Sequence, residues 1–469
     1  MSELPNIVFI MADDMGYGDV SRLNEHCAFE TPHLDRLARE GAFFTDAHSN
    51  SAVCTPTRYG VLTGRYCWRS RLKQGVLYGY SRPLIEEGRL TVASLLKAHG
   101  YRTACIGKWH LGLEWALNSD DPEDVDFGRP IRRGPRELGF DTFFGISASL
   151  DMPPYVYIED DRATALPDRV TENTDSKGFW RAGPTGADFR HEEVLPTCLA
   201  RAEAFIGECS SAAERSPFLL YFALPAPHTP IVPTPEYQGT SGTNAYGDFV
   251  LQVDGTVGRV MEALERNGLT DDTLVVFTSD NGCSPRADYS ELAQWNHCPS
   301  YHFRGHKADI FEGGHRIPFI ARWPGRIPAG TSSDEIICLT DLMATCADIV
   351  GDELPVDAGE DSISILPALS GENLTAPIRE ATVHHSINGS FSIRQGKWKL
   401  ELCRGSGGWS YPRPEEARQL GLPSVQLYDM EADVRETTNV QARHPEVVAR
   451  LTALLDSYKT EGRSVRTER

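Results

Sequence analysis

Eleven cysteines in 469 residues are too few for a disulfide scaffold. None forms a Cys-x-x-Cys pair, so zinc ribbons and thioredoxin-type redox sites have no support. Long apolar runs are missing too: no stretch reaches 18 residues, so neither a membrane-spanning helix nor a membrane partner is expected. Basic charge is scarce. Lys and Arg number 46 against 66 Asp and Glu, a formal net charge of −20, with a pI of about 5.2. Without surplus cations to neutralise phosphates, no nucleic-acid partner is expected. The overall field also speaks against a polyanionic substrate held by the surface at large. The first residues lack a basic segment followed by a long apolar one, so no secretory leader is expected, and the protein is either cytoplasmic or has had a leader removed.

The content is that of an ordinary globular protein, 40% hydrophobic and 24% charged. Residues 6–12 (NIVFIMA) form a continuous apolar run ending in Asp13-Asp14, the signature of a strand buried on both faces. Thr31-Pro32 then opens a helix that Gly41 closes. The alternation recurs. Helices are expected over residues 91–99, 196–208, 245–267 and 340–350, and strands over 101–106, 218–224 and 274–279. This predicts an α/β fold with a mostly parallel central sheet sandwiched by helices. After residue 373 the texture changes to short strands at 381–387, 390–393 and 398–402, with Asn388-Gly389 as a hairpin dipeptide, then an amphipathic helix at 445–459. The expected division is a catalytic domain, residues 1–373, and a smaller C-terminal α+β domain, residues 374–469. Residues 115–136 read as an insertion and 403–424 as a surface loop.

Chemistry-bearing residues cluster after the predicted strands. Asp13-Asp14 follows the first, and Asp280-Asn281 follows the strand at 274–279. Ligands of parallel sheets bind beyond the strands' carboxyl ends. Three carboxylates and an amide meeting there suit a hard divalent cation, Ca²⁺ or Mg²⁺; two Asx-type turns are the alternative. Cys54 lies at a strand-to-helix turn beside Arg58, where the helix dipole and the guanidinium favour a thiolate or oxyanion. Lys108 and His110 stand two apart, on one side of an extended segment, a pair fit for anion contact and proton transfer. His228 sits in a proline-bounded loop after a strand, and Lys307 lies shortly before Glu312-Gly313-Gly314.

Residues 54–65, CTPTRYGVLTGR, match the signature C-x-P-S/T-R-x-x-x-L-T-G-R throughout, with Thr57 where Ser is more usual. On this motif, and on the order of those around it, the chain resembles the type I sulfatases of the alkaline-phosphatase-like superfamily. The resemblance implies that Cys54 is oxidised by a formylglycine-generating or sulfatase-maturating enzyme to formylglycine, whose hydrated aldehyde is the nucleophile. It implies that Asp13, Asp14, Asp280 and Asn281 bind Ca²⁺, with Mg²⁺ the lesser candidate, and that Arg58 orients the nucleophile. Lys108 and Lys307 would bind the sulfate oxygens, and His228 would protonate the leaving alcohol. His110 would help eject sulfate, and Ser149 would contact the formylglycine or the sulfate.

The segments 145–157, 301–307 and 312–316 resemble those of sulfatases acting on sulfated galactose or N-acetylgalactosamine. Asp151, Arg304 and His306 are the expected sugar contacts, with support of the loop or the metal site as the alternative; His384 and His385 read either as pocket-rim or as plain strand residues. The expected reaction is hydrolysis of a 4-O- or 6-O-sulfated sugar, from a chain end, to free sulfate and alcohol. Competing readings are a phosphodiesterase or phosphonate monoester hydrolase of the same superfamily, and an inactive glycan-binding module. Relatives are usually periplasmic or secreted, which leaves the localisation open.

Overall fold

The computed structural model describes residues 4–212 and 215–465. Its centre is a ten-stranded sheet. Five neighbouring strands run parallel, in the order Thr273–Ser279, Asn6–Ala12, Phe218–Ala223, Arg102–Lys108 and Thr142–Ile146. Antiparallel pairings extend it beyond Thr273–Ser279 and beyond Thr142–Ile146. The apolar run at residues 6–12 is explained by its place in this sheet, where every residue is buried. Val8 and Ile10 point into one core and Ile7, Phe9 and Met11 into the other. Helices cover both faces. Pro32–Glu40, Val194–Ser211 and Ala245–Arg266 pack on the first core, and Cys54–Thr63, Val92–Ala98 and Leu342–Val350 on the second. Each fully buried aliphatic or aromatic side chain contributes roughly 1.5–3 kcal/mol, so the two-sided burial of this strand anchors the sheet.

A smaller antiparallel sheet follows in the C-terminal domain, built from Thr382–His385, Phe391–Gln395, Trp398–Glu401 and Gln426–Asp429. The helix Pro445–Glu461 lays Leu451 and Leu455 against Val383, Ile393, Leu400 and Leu427. Several features depart from the sequence reading. The strand Thr142–Ile146 and the hairpin Pro167–Asn173/Trp180–Gly186 were not anticipated. Within 403–424 lies a short helix, Pro414–Gln419, and the segment before it is partly surface, with Arg404, Trp409, Tyr411 and Arg413 exposed, and partly anchored, with residues 405–407 buried.

Gly107, just before the end of the Arg102–Lys108 strand, has φ +107, and a Cβ there would stand 1.9 Å from the Ala223 carbonyl oxygen of the neighbouring strand. That contact is backbone on backbone and has nowhere to go. Gly107→Ala is expected to cost about 3 kcal/mol or more, lowering Tm by several degrees in scanning calorimetry. An unchanged Tm would show that the two strands part freely.

Candidate active site

The five parallel strands deliver their carboxyl ends to one place. Asp13 and Asp14 leave the first strand, Asp280 and Asn281 leave its neighbour, and Lys108 ends the Arg102–Lys108 strand. His228 follows Phe218–Ala223, and Ser149 and Asp151 follow Thr142–Ile146. All are buried. Asp14 adopts φ +68, a backbone region that costs a non-glycine residue about 1 kcal/mol or more. The turn is held by Asp14 N–H donating to Asp280 Oδ1 (3.2 Å) and Met15 N–H to Ser279 Oγ (3.0 Å). Tyr246, on the long helix Ala245–Arg266, packs against it: its hydroxyl donates to Asp19 Oδ2, and its oxygen stands 3.3 Å from the Asp14 carbonyl.

The charges interlock. Arg58 donates twice to Asp280 Oδ2 (3.1 and 2.7 Å) and once to the Lys108 carbonyl (3.0 Å). Lys108 Nζ donates to Asp13 Oδ2 (2.6 Å), Lys307 Nζ to Asp14 Oδ2 (2.7 Å), and Asn281 Nδ2 to Asp14 Oδ1 (2.7 Å). Burial alone would raise the Asp13 pKa, yet Lys108, His228, Arg58 and Lys307 together hold it well below the usual carboxylate range. Burial and the Asp13 charge push Asp280 the other way, upward. Three buried carboxylates meet here, each paired with one of the three cations. Asp13 Oδ1 and Asn281 Oδ1 are buried with no hydrogen-bond donor. Unpartnered hard oxygens beside further carboxylates are the donor set of a divalent cation site, so the residues present fit a metal. Ligand atoms of Asp13, Asp14, Cys54 and His228 all lie within 4.8 Å of one another.

Cys54 is the first residue of Cys54–Thr63, a helix buried along its whole length. Pro56 is tolerated in its first turn, where backbone N–H groups have no helical partner anyway. Gly64 ends the helix with φ +62. The thiol does not become the thiolate that the sequence suggested. Burial pushes it up to about 12, outweighing Lys108 and Lys307, although Lys307 Nζ stands 3.6 Å from Sγ. Arg58 makes no hydrogen bond to Cys54 among the described residues; three of its donations go to Asp280 and the Lys108 carbonyl, which it positions.

Residues 5–351 match the family model described as Sulfatase. The chain belongs to the sulfatase family. It is 34% identical to an N-acetylgalactosamine-6-O-sulfatase of Bacteroides thetaiotaomicron, over 98% of this chain and 94% of that one. It is also 34% identical to arylsulfatase A of Bos taurus (93% and 83% covered) and 32% to N-acetylgalactosamine-6-sulfatase of Mus musculus (86% and 73%). A structure solved in work on glycosaminoglycan metabolism by Bacteroides thetaiotaomicron superposes with TM-score 0.86 at 34% identity, covering 98% of this chain and 100% of that one. This sulfatase is thus a sulfuric ester hydrolase with an alkaline-phosphatase-like fold, and its family implies a metal site and a formylglycine.

The two histidines of the sulfatase differ in tautomer. His110 has φ +58, so the segment is not extended there as the spacing suggested. Its Nε2 lies 2.8 Å from the Leu77 carbonyl, which can only accept, so Nε2 carries the hydrogen and the buried Nδ1 keeps a lone pair with no partner. Burial, then Lys108 and Arg58, hold the ring's pKa well below the usual value, so it is neutral. His228 makes the opposite choice: Nδ1 donates to the Thr229 carbonyl, leaving Nε2 facing Asp14 at 3.6 Å.

Above the charged cluster opens a cavity of about 470 Å³, whose lining includes His228, Lys307, Asp151 and His306. Asp151 Oδ1 is buried and unpartnered, 4.0 Å from His228 Nδ1, while Arg181 takes its other oxygen. Ser149 Oγ is also buried without a partner. Arg304 is placed elsewhere: it donates to the Glu436 carbonyl (2.7 Å), stacks on Phe311 (3.9 Å) and does not line the cavity. His384 and His385 are buried strand residues; His384 stacks on His315 (4.0 Å). Sequence reasoning missed Phe179, Arg181, Arg286, Trp409 and Arg413, which complete the lining. Gly408 shows why the 403–413 segment belongs here: a Cβ would stand 2.3 Å from the Ala308 carbonyl oxygen, next to Lys307.

Proposed function

We propose that this sulfatase removes sulfate from O4 or O6 of a terminal galactose or N-acetylgalactosamine, with His228 as acid and His110 as base around Cys54. The observation that carries the reading is the cavity of about 470 Å³ directly over Lys307 and His228, of ordinary ligand-pocket size. The N-acetylgalactosamine-6-sulfatase relatives support the sugar class. Asp13, Asp14, Asp280 and Asn281 would hold Ca²⁺, which supplies fixed positive charge at the sulfate. Four protein ligands suit Ca²⁺ better than Mg²⁺, which keeps several waters. Formylglycine, made from Cys54 by a maturation enzyme, supplies a nucleophilic hydroxyl on a carbon able to return to an aldehyde.

The chain's own residues do the rest. Lys108 and Lys307, each anchored on a carboxylate, spread the negative charge of the sulfate oxygens. His228, when both ring nitrogens carry a proton, gives the one on Nε2 to the leaving alcohol, while Nδ1–H stays held by the Thr229 carbonyl. His110 Nδ1, a buried lone pair fixed by the Leu77 contact, accepts a proton on the nucleophile side. Ser149 offers its free hydroxyl to the same region, and Asp151 and His306 face the sugar. The walls of the cavity support action on a chain end.

Defined sulfated monosaccharides and long sulfated chains, with products followed by chromatography, test this. Sulfate should be released from 6- or 4-sulfated N-acetylgalactosamine or galactose, and from polymer only at the terminal sugar. Early release from internal sugars would sink the terminal-sugar reading, and faster hydrolysis of aryl phosphate than aryl sulfate would sink the sulfatase reading of the site.

A further inference from the structure

Three arginines, Arg181, Arg286 and Arg413, line the cavity beyond Lys307 and His228. In a chain of net charge −20 such a concentration is unexpected. Arg181 is neutralised by Asp151. Arg286 and Arg413 are different: among the described residues neither has a carboxylate within 4.0 Å of its guanidinium. Arg286 donates Nη1 to the Ser176 carbonyl (3.3 Å) and lies over the Phe179 ring (5.4 Å). Arg413 donates Nε to the Trp409 carbonyl (2.9 Å). A guanidinium has five N–H donors, so each keeps most of its donors and its full charge.

Both are mounted on fixed backbone. Arg286 N–H is held by Ser284 Oγ (3.2 Å) in the turn Pro285–Ala287. Arg413 N–H is held by Glu416 Oε2 (2.8 Å) at the start of Pro414–Gln419. The Trp409 loop is pinned by Asp309 Oδ1, which accepts from Trp409 N–H (2.8 Å) and Ser410 N–H (3.0 Å). The Trp409 side chain itself stays 40% exposed, an apolar face at the same rim.

We propose that Arg286 and Arg413 form a subsite for a second anionic group of the substrate, a carboxylate or a further sulfate on the sugar adjoining the one desulfated, with Trp409 against that sugar's apolar face. The proposal rests on the saccharide reading above. The scissile sulfate is served by Lys108 and Lys307 deeper in the pocket, so the two arginines are free for another charge. A planar fork pairs with either oxyanion.

The test uses three disaccharides with the same scissile sulfate and a neighbouring sugar that is neutral, carboxylated or sulfated. In low salt, kcat/KM is expected to be about tenfold higher for the anionic neighbours than for the neutral one. The carboxylated and sulfated arms tell which anion is preferred. The ratio should fall toward one as NaCl rises, because part-exposed charge pairs are screened, and this arm needs no variant. It should also collapse in the Arg286→Gln/Arg413→Gln double variant. Equal rates on all three substrates in low salt, or a ratio that survives both salt and the double variant, would overturn the subsite alone. No turnover of any disaccharide, with aryl sulfate still hydrolysed, would overturn the saccharide reading and the subsite with it.

Discussion

Cys54→Ala is expected to lower turnover by on the order of a hundred-thousand-fold, the scale seen when a nucleophile is deleted from an otherwise intact site, while substrate still binds. The geometry separates the two effects. Charge on the sulfate is met by Lys108 and Lys307, and both are anchored on Asp13 and Asp14, not on Cys54. Removing Sγ takes away only one 3.6 Å contact from Lys307. Unmodified Cys54 should behave like the alanine variant. Its thiol, pushed up to about 12 by burial, is almost wholly protonated at neutral pH and a poor nucleophile. Activity should therefore follow the fraction of Cys54 converted to formylglycine, read from the mass of the Cys54 peptide, and rise when a maturation enzyme is co-expressed. Calorimetric titration of Cys54→Ala with a sulfated sugar should give a Kd close to the KM of mature protein. Full activity in a preparation whose Cys54 peptide is entirely unmodified would end this account.

The parts of the fold legible from the sequence are those where burial is two-sided. The run at residues 6–12 and the runs in Phe218–Ala223 and Thr273–Ser279 read as strands because both faces are covered and no polar residue interrupts them. Helices were legible where caps mark them, as with Thr91 before Val92–Ala98. The hairpin Pro167–Asn173/Trp180–Gly186 was not, because few of its residues are buried and they carry no regular alternation. The site divides the same way. Asp13, Lys108 and Asp280 could be placed together because parallel strands bring their carboxyl ends to one edge. The pocket walls could not: Phe179, Arg286 and Trp409 come from segments far apart in the chain, joined by close packing such as Gly408 on Ala308. Arg304 was expected as a sugar contact because its segment 301–307 resembles those of sugar sulfatases and a guanidinium suits sugar hydroxyls, but it donates to the distant Glu436 carbonyl, stacks on Phe311 and stays out of the cavity lining.

Removal of the site's divalent cation is expected to cost about a hundredfold or more in kcat/KM and to lower Tm by several degrees. Formal charges make the reason explicit. Asp13, Asp14 and Asp280 contribute three negative charges, and Arg58, Lys108 and Lys307 contribute three positive ones, so the protein part of the site sums to zero. A divalent cation turns that into a surplus of about two, which is what draws a sulfate into a protein of net charge −20. A ligand present at a hundred times its Kd also stabilises the fold by about 2.7 kcal/mol. Dialysis against a chelator, then back-titration with Ca²⁺ or Mg²⁺ under calorimetry and sulfate-release assay, measures both effects; Ca²⁺ should restore more than Mg²⁺. Two variants separate metal binding from packing. Asn281→Ala removes a neutral ligand and leaves the Arg58–Asp280 pair intact, but also takes a hydrogen bond from Asp14 and from the Gly282 carbonyl, so its chelated Tm should fall by the equivalent of about 1–3 kcal/mol, less than for Asp280→Asn, while its response to Ca²⁺ weakens. Asp280→Asn also strands Arg58, whose guanidinium is wholly buried and donates twice to that carboxylate. Removing one partner of a buried pair costs about 3–5 kcal/mol, so Asp280→Asn should be destabilised with or without Ca²⁺. A chelated parent with undiminished activity and Tm would show that these four residues hold no cation the enzyme needs.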